Sequence, residues 1–287
     1  MPQLQPFTNI VLAGGARRII ATVGCLKYIE EQNQLHLLKN VVGVSAGSVV
    51  GALIVMGYTV SEMIEFLYHS MKNNCTLDPL ECLNIFTTYG LNSGDMFERT
   101  IEDMIVRKFG EEFKDMTFLQ LAKKTGKNLV VTVSNMTKEK CEFFYVDTKP
   151  DMKISLAIRM SCTIPIMFKP IVMDDQLYLD GGLFNNFPMD FFDENANDVL
   201  GINLVYTNYK KMDSFPNYLM FIIYSMIVKA NPSSCNAKNI INIEFDDDEW
   251  FSMNDMKIIT PKEIWIEYVK IGHNKMKSLY SKTDETN

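Results

Sequence analysis

The sequence predicts a single α/β domain in which helices flank a central, mostly parallel sheet. Near the N-terminus, a short apolar run is twice followed by a glycine-containing turn and then by apolar residues at helical spacing. Further apolar runs alternate with helical patterns in the rest of the chain, as expected for parallel strands joined by helices. The chain has 287 residues, of which 47% are hydrophobic, and this is ample for one well-buried core.

The first two units lie within the first sixty residues. The run "NIVLAGG" predicts a strand that ends in glycines, and "RIIATVGCLKYIEEQ" predicts the helix that follows it. The run "VVGVS" predicts a second strand, and "AGSVVGALIVMG" a helix that ends near Gly57. We expect these two strands to be parallel neighbours.

Three later helices carry N-terminal capping signals, in which Ser or Thr precedes Glu or Gln by three residues. The signals are Thr59–Glu62, Thr117–Gln120 and Thr260–Glu263, the last with Pro261 at the first helical position. We expect the three helices to end near Asn73, at Gly126 and near Ser278.

Three further strands are predicted from "NLVVTVSNM", "CEFFYVD" and "DVLGINLVY". The segment "AIRMSCTIPIMFKPIVMDDQLYLDGGLFNNFP", which contains three prolines, is interpreted as loop-rich with a short strand at "YLD". No linker separates two domains. We expect residues 7–205 to form the catalytic core and residues 206–287 to complete the same domain with a strand and helices.

Composition excludes several classes of function. The 28 basic and 35 acidic residues give a net charge of −7 without long charged blocks, so we expect no nucleic-acid partner. The six cysteines form no CxxC pair and do not cluster with the three histidines, so neither a metal site nor a disulfide framework is indicated.

The N-terminus lacks the basic region and the apolar region that make up a secretory signal, so we predict a cytoplasmic protein. The apolar run Tyr218–Val228 is too short for a membrane span, which needs about 20 residues. It is interpreted as a buried helix, and the alternative is a surface that dips into lipid. Any contact with a membrane is therefore expected to be peripheral and local.

A candidate nucleophile lies in "GVSAG", where Ser45 stands between Gly43 and Gly47. A serine at a sharp strand-to-helix turn needs glycines on both sides, because the turn brings backbone close to backbone. Such a turn places the hydroxyl at a helix N-terminus, where amide groups favour negative charge. The plainer interpretation is a serine that merely caps the helix.

A serine nucleophile requires a base. Asp180 follows a predicted strand and precedes Gly181 and Gly182, so it is either a positioned base or part of a tight turn. The histidine candidates are His36, His69 and His273; the first two lie in ordinary surface sequence, which leaves His273 as the alternative to Asp180.

The stretch "AGGARR" lies at the first strand–helix junction. It matches neither a dinucleotide fingerprint nor a phosphate-binding loop. Glycines at such a junction expose successive N–H groups, which can hold an oxyanion. We therefore expect Gly14, Gly15 and Ala16 to lie beside Ser45, while Arg17 and Arg18 either attract an anionic head group or are simply solvated.

These three motifs, in this order, resemble those of the patatin-like phospholipases. The resemblance rests on "LAGGARRIIATVGCLKYIEE", "GVSAGS" and "DGGLFNNFP", with "SCTIPIMFKP" ahead of the aspartate, and runs from about Asn9 to Pro188. It implies a patatin-like three-layer sandwich, a Ser45–Asp180 catalytic dyad, an acyl-lipid substrate such as a phospholipid, and no cofactor or metal. Hydrolysis would be of the phospholipase A or lysophospholipase type.

The glycine turn departs from the family pattern. The family's third glycine falls on Ala16, its basic residue on Arg18 and its last glycine on Ile19. We expect Ala16 and Ile19 to have ordinary α or β backbone angles, with Ile19 already helical. Two alternatives stay open: a Ser-Asp-His esterase that uses His273, and a non-catalytic lipid-binding relative with an altered turn.

Overall fold

The computed structural model describes residues 7–74, 85–192, 197–206, 214–230, 239–245 and 262–281. The strands within these ranges are β1 (Asn9–Leu12), β2 (Asn40–Val44), β3 (Gly90–Asn92), β4 (Asn128–Asn135), β5 (Lys140–Phe144), β6 (Ile166–Phe168), β7 (Ile171–Met173), β8 (Gln176–Asp180), β9 (Val199–Tyr206) and β10 (Ile240–Phe245).

The helices are α1 (Ile19–Glu31), α2 (Ala46–Val55), α3 (Val60–Asn74), α4 (Ile85–Thr88), α5 (Asp95–Phe109), α6 (Phe118–Thr125), α7 (Ile154–Ser161), α8 (Phe215–Lys229) and α9 (Lys262–Ser281). Short 3₁₀ turns at Ala16–Arg18 and Gly181–Leu183 lie at two of the motifs identified in the sequence.

The main sheet has the strand order β10-β9-β1-β2-β4-β8-β7, and β5 also pairs with β4. The pairs from β10 to β4 are parallel, whereas β8 is antiparallel to both β4 and β7. The predicted α/β class with a mostly parallel sheet is therefore confirmed. Strands β3 and β6 form a separate parallel pair.

The register of the sheet determines where the motifs meet. Leu12 at the end of β1 pairs with Gly43 of β2, so the turns that follow these two strands are neighbours. Val44 at the end of β2 pairs with Thr132 of β4. The next residue of β4, Val133, pairs with Asp180 on the same side of β4, because β5 occupies the other side along Val131–Asn135. The C-terminal end of β8 therefore lies next to the C-terminal end of β2 along one edge of β4.

The two faces of the sheet pack on different layers because side chains alternate along each strand. Ile10 and Leu12 face the larger core, which also contains the buried sides of α1, α2 and α9. Val11 and Ala13 point the other way, into a smaller cluster with Phe187 and other residues that follow Asp180.

Helices α1 and α9 approach each other closely at two glycines. A Cβ added to Gly24 would lie 2.2 Å from the carbonyl oxygen of Val269, and one added to Gly272 would lie 1.8 Å from that of Ala21. The last described helix is thus packed directly on the first one, and β10 extends the same sheet.

The predicted capping signals at Thr59 and Thr117 are present in the structure. Glu62 accepts from the N–H of Thr59 at 2.7 Å, and the Thr117–Gln120 capping box is complete, with Gly126 left-handed at the helix end. The signal at Thr260 and Pro261 lies outside the described residues, although α9 itself is present and extends to Ser281.

The loop-rich interpretation of the segment before Asp180 was wrong in part. Its N-terminal part lies in α7, and two strands that were not predicted, β6 and β7, follow; the predicted strand at "YLD" is present as part of β8. Strands β6 and β7 have three residues each, which is too short for an alternation of apolar and polar residues to indicate a strand. Among the described residues, no helix has both the length and the apolar character that a membrane crossing requires.

Candidate active site

Ser45 occupies the sharp turn between β2 and α2. Its φ of 51° and ψ of −127° are unfavourable for a residue with a side chain. Strain of this kind costs about 1–3 kcal/mol and persists only where the surrounding structure enforces it. Ser45 is buried, and its hydroxyl does not cap the helix that it precedes.

The glycines on either side of Ser45 make the turn sterically feasible. A Cβ on Gly43 would lie 2.5 Å from the carbonyl oxygen of Gly47, and a Cβ on Gly47 would lie 2.5 Å from that of Leu12. The turn therefore needs glycine at both positions, as the sequence motif predicted. It also presses the start of α2 against the end of β1.

Ser161, the last residue of α7, fixes the backbone of the turn. Its Oγ accepts a hydrogen bond from the N–H of Ser45 at 2.8 Å and donates one to the carbonyl oxygen of Thr132 at 2.7 Å. All three residues are buried. Sequence reasoning had not assigned this role to Ser161, and its only signal was the small serine-bearing segment that precedes Asp180.

Asp180 ends β8 in a fully buried position. Its N–H donates to the carbonyl oxygen of Thr163 at 2.9 Å, and its Oδ1 accepts from the N–H of Gly182 at 2.8 Å. Burial raises the pKa of Asp180 to about 7, while the Ser45 hydroxyl and the Gly182 N–H oppose that rise. A carboxyl group with this pKa can exchange a proton near neutral pH.

The second carboxylate oxygen of Asp180 is available. Oδ2 is buried and has no hydrogen-bond partner among the described residues. The Ser45 hydroxyl is close enough to lower the pKa of Asp180, yet no hydrogen bond of normal geometry joins the two side chains. Catalytic hydrogen bonds are often long in unliganded enzymes and tighten when substrate binds.

The glycine turn lies directly against Ser45. A Cβ on Gly14 would lie 3.1 Å from Ser45 Cβ and 2.5 Å from Asn186 Oδ1. The N–H of Gly14 donates to the carbonyl oxygen of Asn186 at a long 3.4 Å. Within the described residues, the N–H groups of Gly15 and Ala16 have no acceptor. The turn thus provides free backbone donors beside the nucleophile candidate.

The backbone of this turn corrects one expectation and agrees with another. Ala16 has a φ of 45°, so the expectation of ordinary angles at this position was wrong. Ile19 has a φ of −52° and a ψ of −20°, and it begins α1 as expected. The left-handed residue is therefore the small alanine, whose Cβ costs about 1–2 kcal/mol there, and not the β-branched isoleucine.

Arg18 does not face solvent. It is buried, and its guanidinium carbon lies 5.5 Å from the centre of the Phe245 ring on β10. This stacking joins the glycine turn to the far strand of the sheet. The half-buried Arg17 remains the basic side chain of the turn that solvent reaches.

His273 does not belong to this site. Its Nε2 lies 2.7 Å from Glu31 Oε2 at the end of α1, and its ring packs on Tyr28. No contact joins any of the three histidines, all of which are described, to Ser45 or Asp180. The structure therefore offers no support for a Ser-Asp-His arrangement.

Metal-ligating side chains do not cluster at the site. Within the described ranges, no group of three His, Cys, Asp or Glu residues is arranged to hold a metal ion. The described cysteines Cys25, Cys141 and Cys162 are free thiols. Burial strongly raises the pKa of Cys162, which lies beside Ser45 and Asp180, so this thiol stays protonated.

Comparison with known families agrees with this geometry. A family model described as patatin-like phospholipase matches residues 10–193, which is more than half of the chain. The chain belongs to the patatin-like phospholipase family. Ser45, Asp180 and the glycine turn all lie within the matched range.

Two relatives show how far this similarity extends. The chain is 34% identical over 185 residues to "Probable lipid hydrolase 463L" of Invertebrate iridescent virus 6, with 64% of this chain and 62% of that protein covered. It is 31% identical over 213 residues to the uncharacterized protein YqhO of Bacillus subtilis strain 168, with 68% and 70% covered. The chain thus spans less than two thirds of the viral relative's length.

Solved structures support the fold. VipD from Legionella pneumophila matches with a TM-score of 0.59 at 16% identity, over 98% of this chain and 68% of VipD. ExoU of Pseudomonas aeruginosa, solved in complex with SpcU, matches with a TM-score of 0.51 at 15% identity, over 96% of this chain and 52% of ExoU.

Proposed function

We propose that this protein is a lipid acyl hydrolase, of the phospholipase A or lysophospholipase type, that works through a Ser45–Asp180 dyad. One observation carries the proposal: a strained serine and a buried carboxylate with a free oxygen and a pKa of about 7 lie beside a turn with unpaired N–H groups. The family and the name of the viral relative support a lipid as the substrate.

In the first half of the reaction, Ser45 Oγ attacks the carbonyl carbon of an acyl ester. Asp180 Oδ2 takes the hydroxyl proton as the new C–O bond forms. The tetrahedral intermediate collapses, the ester C–O bond breaks, and the leaving alcohol takes the proton from Asp180. The products of this step are a lysolipid or a glycerophospho-alcohol and an acyl ester on Ser45.

In the second half, a water molecule attacks the acyl ester while Asp180 takes one of its protons. The second tetrahedral intermediate releases the fatty acid, and the proton returns to Ser45 Oγ. Asp180 thus ends each cycle as a carboxylate. A pKa of about 7 suits both directions of this transfer, since the group neither holds nor loses the proton too strongly.

The negative charge on the carbonyl oxygen needs donors that are already in place. The N–H groups of Gly15 and Ala16 are the free donors of the turn, and the N–H of Gly14 is held only by a long hydrogen bond. The N–H of Ser45 is engaged by Ser161 and is not available. Loss of one such donor typically costs about 10²–10³-fold in turnover.

The experiment that tests the proposal is hydrolysis of mixed phospholipids by the purified protein, with products identified by mass spectrometry. Free fatty acids and lysolipids are expected with the native protein and not with Ser45→Ala. A purified, folded protein that releases no acyl chain from any lipid or short-chain ester would instead favour the non-catalytic alternative.

A further inference from the structure

Helix α8 has an exposed apolar stripe along one side. The side chains of Phe215, Tyr218, Ile222 and Met226 are 71%, 47%, 40% and 47% exposed, respectively. Spacings of three and four residues place them on the same face of the helix, over about 16 Å at about 1.5 Å per residue. We call these four residues the α8 stripe.

The opposite side of α8 is anchored beside the candidate active site. Met220 and Ile223 are buried in a cluster with Leu179 and Leu183. These two leucines flank Asp180 and its two glycines in the chain. Helix α8 therefore packs against the segment that carries Asp180, and it is half-buried rather than fully buried as the sequence had suggested.

The charge of α8 differs from that of the chain as a whole. The chain has a net charge of −7, yet Phe215–Lys229 contains no Asp or Glu. Its one charged residue, Lys229, is exposed and lies three residues beyond Met226, on the same face as the stripe. An apolar face that ends in a lysine, without acids, complements the surface of a bilayer that contains anionic lipids.

We propose that the α8 stripe is the surface by which this protein docks on a lipid bilayer, with Lys229 at the level of the head groups. The four side chains enter the boundary between head groups and acyl chains, and the docked helix holds the Asp180 segment next to the membrane. This inference names the partner of the proposed lipid hydrolase and rests on that function for its biological sense, but its test does not depend on catalysis.

The test is co-sedimentation of the Ser45→Ala protein with phosphatidylcholine vesicles that contain or lack phosphatidylserine. The Ser45→Ala background leaves the lipids intact. Changing Ile222 and Met226 together to Glu should lower the partition coefficient at least about tenfold, because two apolar side chains are lost from the interface and two charges are added. Lys229→Ala should weaken binding only to vesicles that contain phosphatidylserine.

Ile266→Glu is the matched control. Ile266 is 48% exposed on α9, which packs in the main core and not in the α8 cluster. This variant should bind vesicles as the parent does. Equal loss in the control and the stripe variant, or no vesicle binding by the Ser45→Ala parent at either composition, would overturn the proposal; a partner protein would then be the better occupant of the stripe.

Activity separates this inference from the proposed function. With Ser45 present, the Ile222→Glu, Met226→Glu protein should hydrolyse a soluble short-chain ester at the native rate and vesicle phospholipids at least about fivefold more slowly. Vesicle binding without any ester hydrolysis would support the docking surface and count against the hydrolase. If the stripe variant and the native protein hydrolyse vesicle lipids at equal rates, the result would support the hydrolase and count against the docking surface.

Discussion

The backbone N–H of Ser45 donates a hydrogen bond to Ser161 Oγ at 2.8 Å across 116 positions of the chain. Through the same hydroxyl, Ser161 holds the carbonyl oxygen of Thr132 on β4. Because Val133, the next residue of β4, pairs with Asp180, this contact ties the strained serine turn to the strand that positions the carboxylate. Ser161 is thus a positioning residue in the proposed mechanism.

Removal of the Ser161 hydroxyl should therefore impair catalysis more than binding. We expect Ser161→Ala to lower kcat on a short-chain ester by about tenfold or more while KM changes by less than about threefold. It should also lower the free energy of unfolding by about 1–3 kcal/mol, since the Ser45 N–H and the Thr132 carbonyl lose their partner. Kinetics and thermal melting measure the two effects.

Ser155→Ala is the matched control for that variant. Ser155 is buried on the same helix α7, but its Oγ has no hydrogen-bond partner among the described residues. Its removal should leave kcat unchanged and stability nearly so. Ser161→Thr, which retains a hydroxyl, should recover part of the lost kcat; equal kcat in Ser161→Ala and Ser155→Ala would refute the positioning role.

Labelling identifies the nucleophile directly. A fluorophosphonate ester should react with the folded protein at Ser45, because the elbow and the free N–H donors favour attack at a tetrahedral phosphorus as they do at an ester carbonyl. Peptide mapping by mass spectrometry locates the adduct. An adduct on Ser48 or Ser161, with Ser45 unmodified, would remove the central assignment.

The pH dependence of hydrolysis should follow the ionisation of Asp180. Burial raises the pKa of this carboxyl to about 7, and only its ionised form can accept the Ser45 proton. We expect kcat/KM to rise with pH through an apparent pKa near 7 and to fall below it. A rate profile measured from acidic to mildly alkaline pH tests this, and a flat profile through neutral pH would contradict it.

Asp180 should be essential for rapid hydrolysis, whereas His273, the alternative base, should not be. Asp180→Asn should lower the hydrolysis rate by about 10²-fold or more, as loss of a general base does. His273→Ala serves as the comparison, because His273 contacts Glu31 and not the site; its rate should stay within about threefold of native. A much larger loss of rate in His273→Ala than in Asp180→Asn would instead favour the Ser-Asp-His mechanism.

Asp180 should also reduce stability at high pH. Its pKa is raised from 3.8 to about 7 on folding, so its favourable contribution is present at low pH and is lost as pH rises through neutrality. At about pH 8, Asp180→Asn should therefore increase the free energy of unfolding by roughly 1–4 kcal/mol relative to native. The gain should shrink toward about pH 4, which thermal melting at several pH values would show.

The left-handed backbone at Ala16 predicts a gain from glycine. Ala16→Gly should stabilise the protein by up to about 1 kcal/mol, because the strained Cβ is removed and the turn keeps its shape. Ester hydrolysis should be equal to native or modestly faster. Ala122→Gly, within α6, is the control of opposite sign and should cost about 0.5–1 kcal/mol.

Ile19 should respond differently from Ala16. It is helical and buried in the main core, so Ile19→Gly should destabilise the protein by about 2–5 kcal/mol. A stabilising effect of glycine at Ile19, or a destabilising one at Ala16, would show that the backbone of this turn differs from the one described. Thermal melting of the two single variants decides the matter.

Local signals in the sequence predicted the elements that depend on neighbouring residues. Capping residues such as Thr117 and Gln120 form hydrogen bonds within one helical turn, so the sequence pattern alone predicts them. Of the three short strands that follow Ser161, only β8 was predicted, from "YLD", and the sequence did not indicate β6 or β7. Strand β6 pairs with the distant β3, and the hairpin of β7 and β8 joins the sheet only through β4, where Tyr178 pairs with Asn135.

The sequence by itself determined the order of the motifs, the glycines that permit a turn at Ser45, and the α/β class. These follow from steric limits and periodicities that act over a few residues. Only the tertiary structure decided that Asp180 is buried, which raises the pKa of its carboxyl group. It also decided that Ser161 binds the backbone N–H of Ser45 and that four apolar side chains of α8 are exposed. Burial and long-range hydrogen bonds depend on strand register and packing, and no local pattern encodes them.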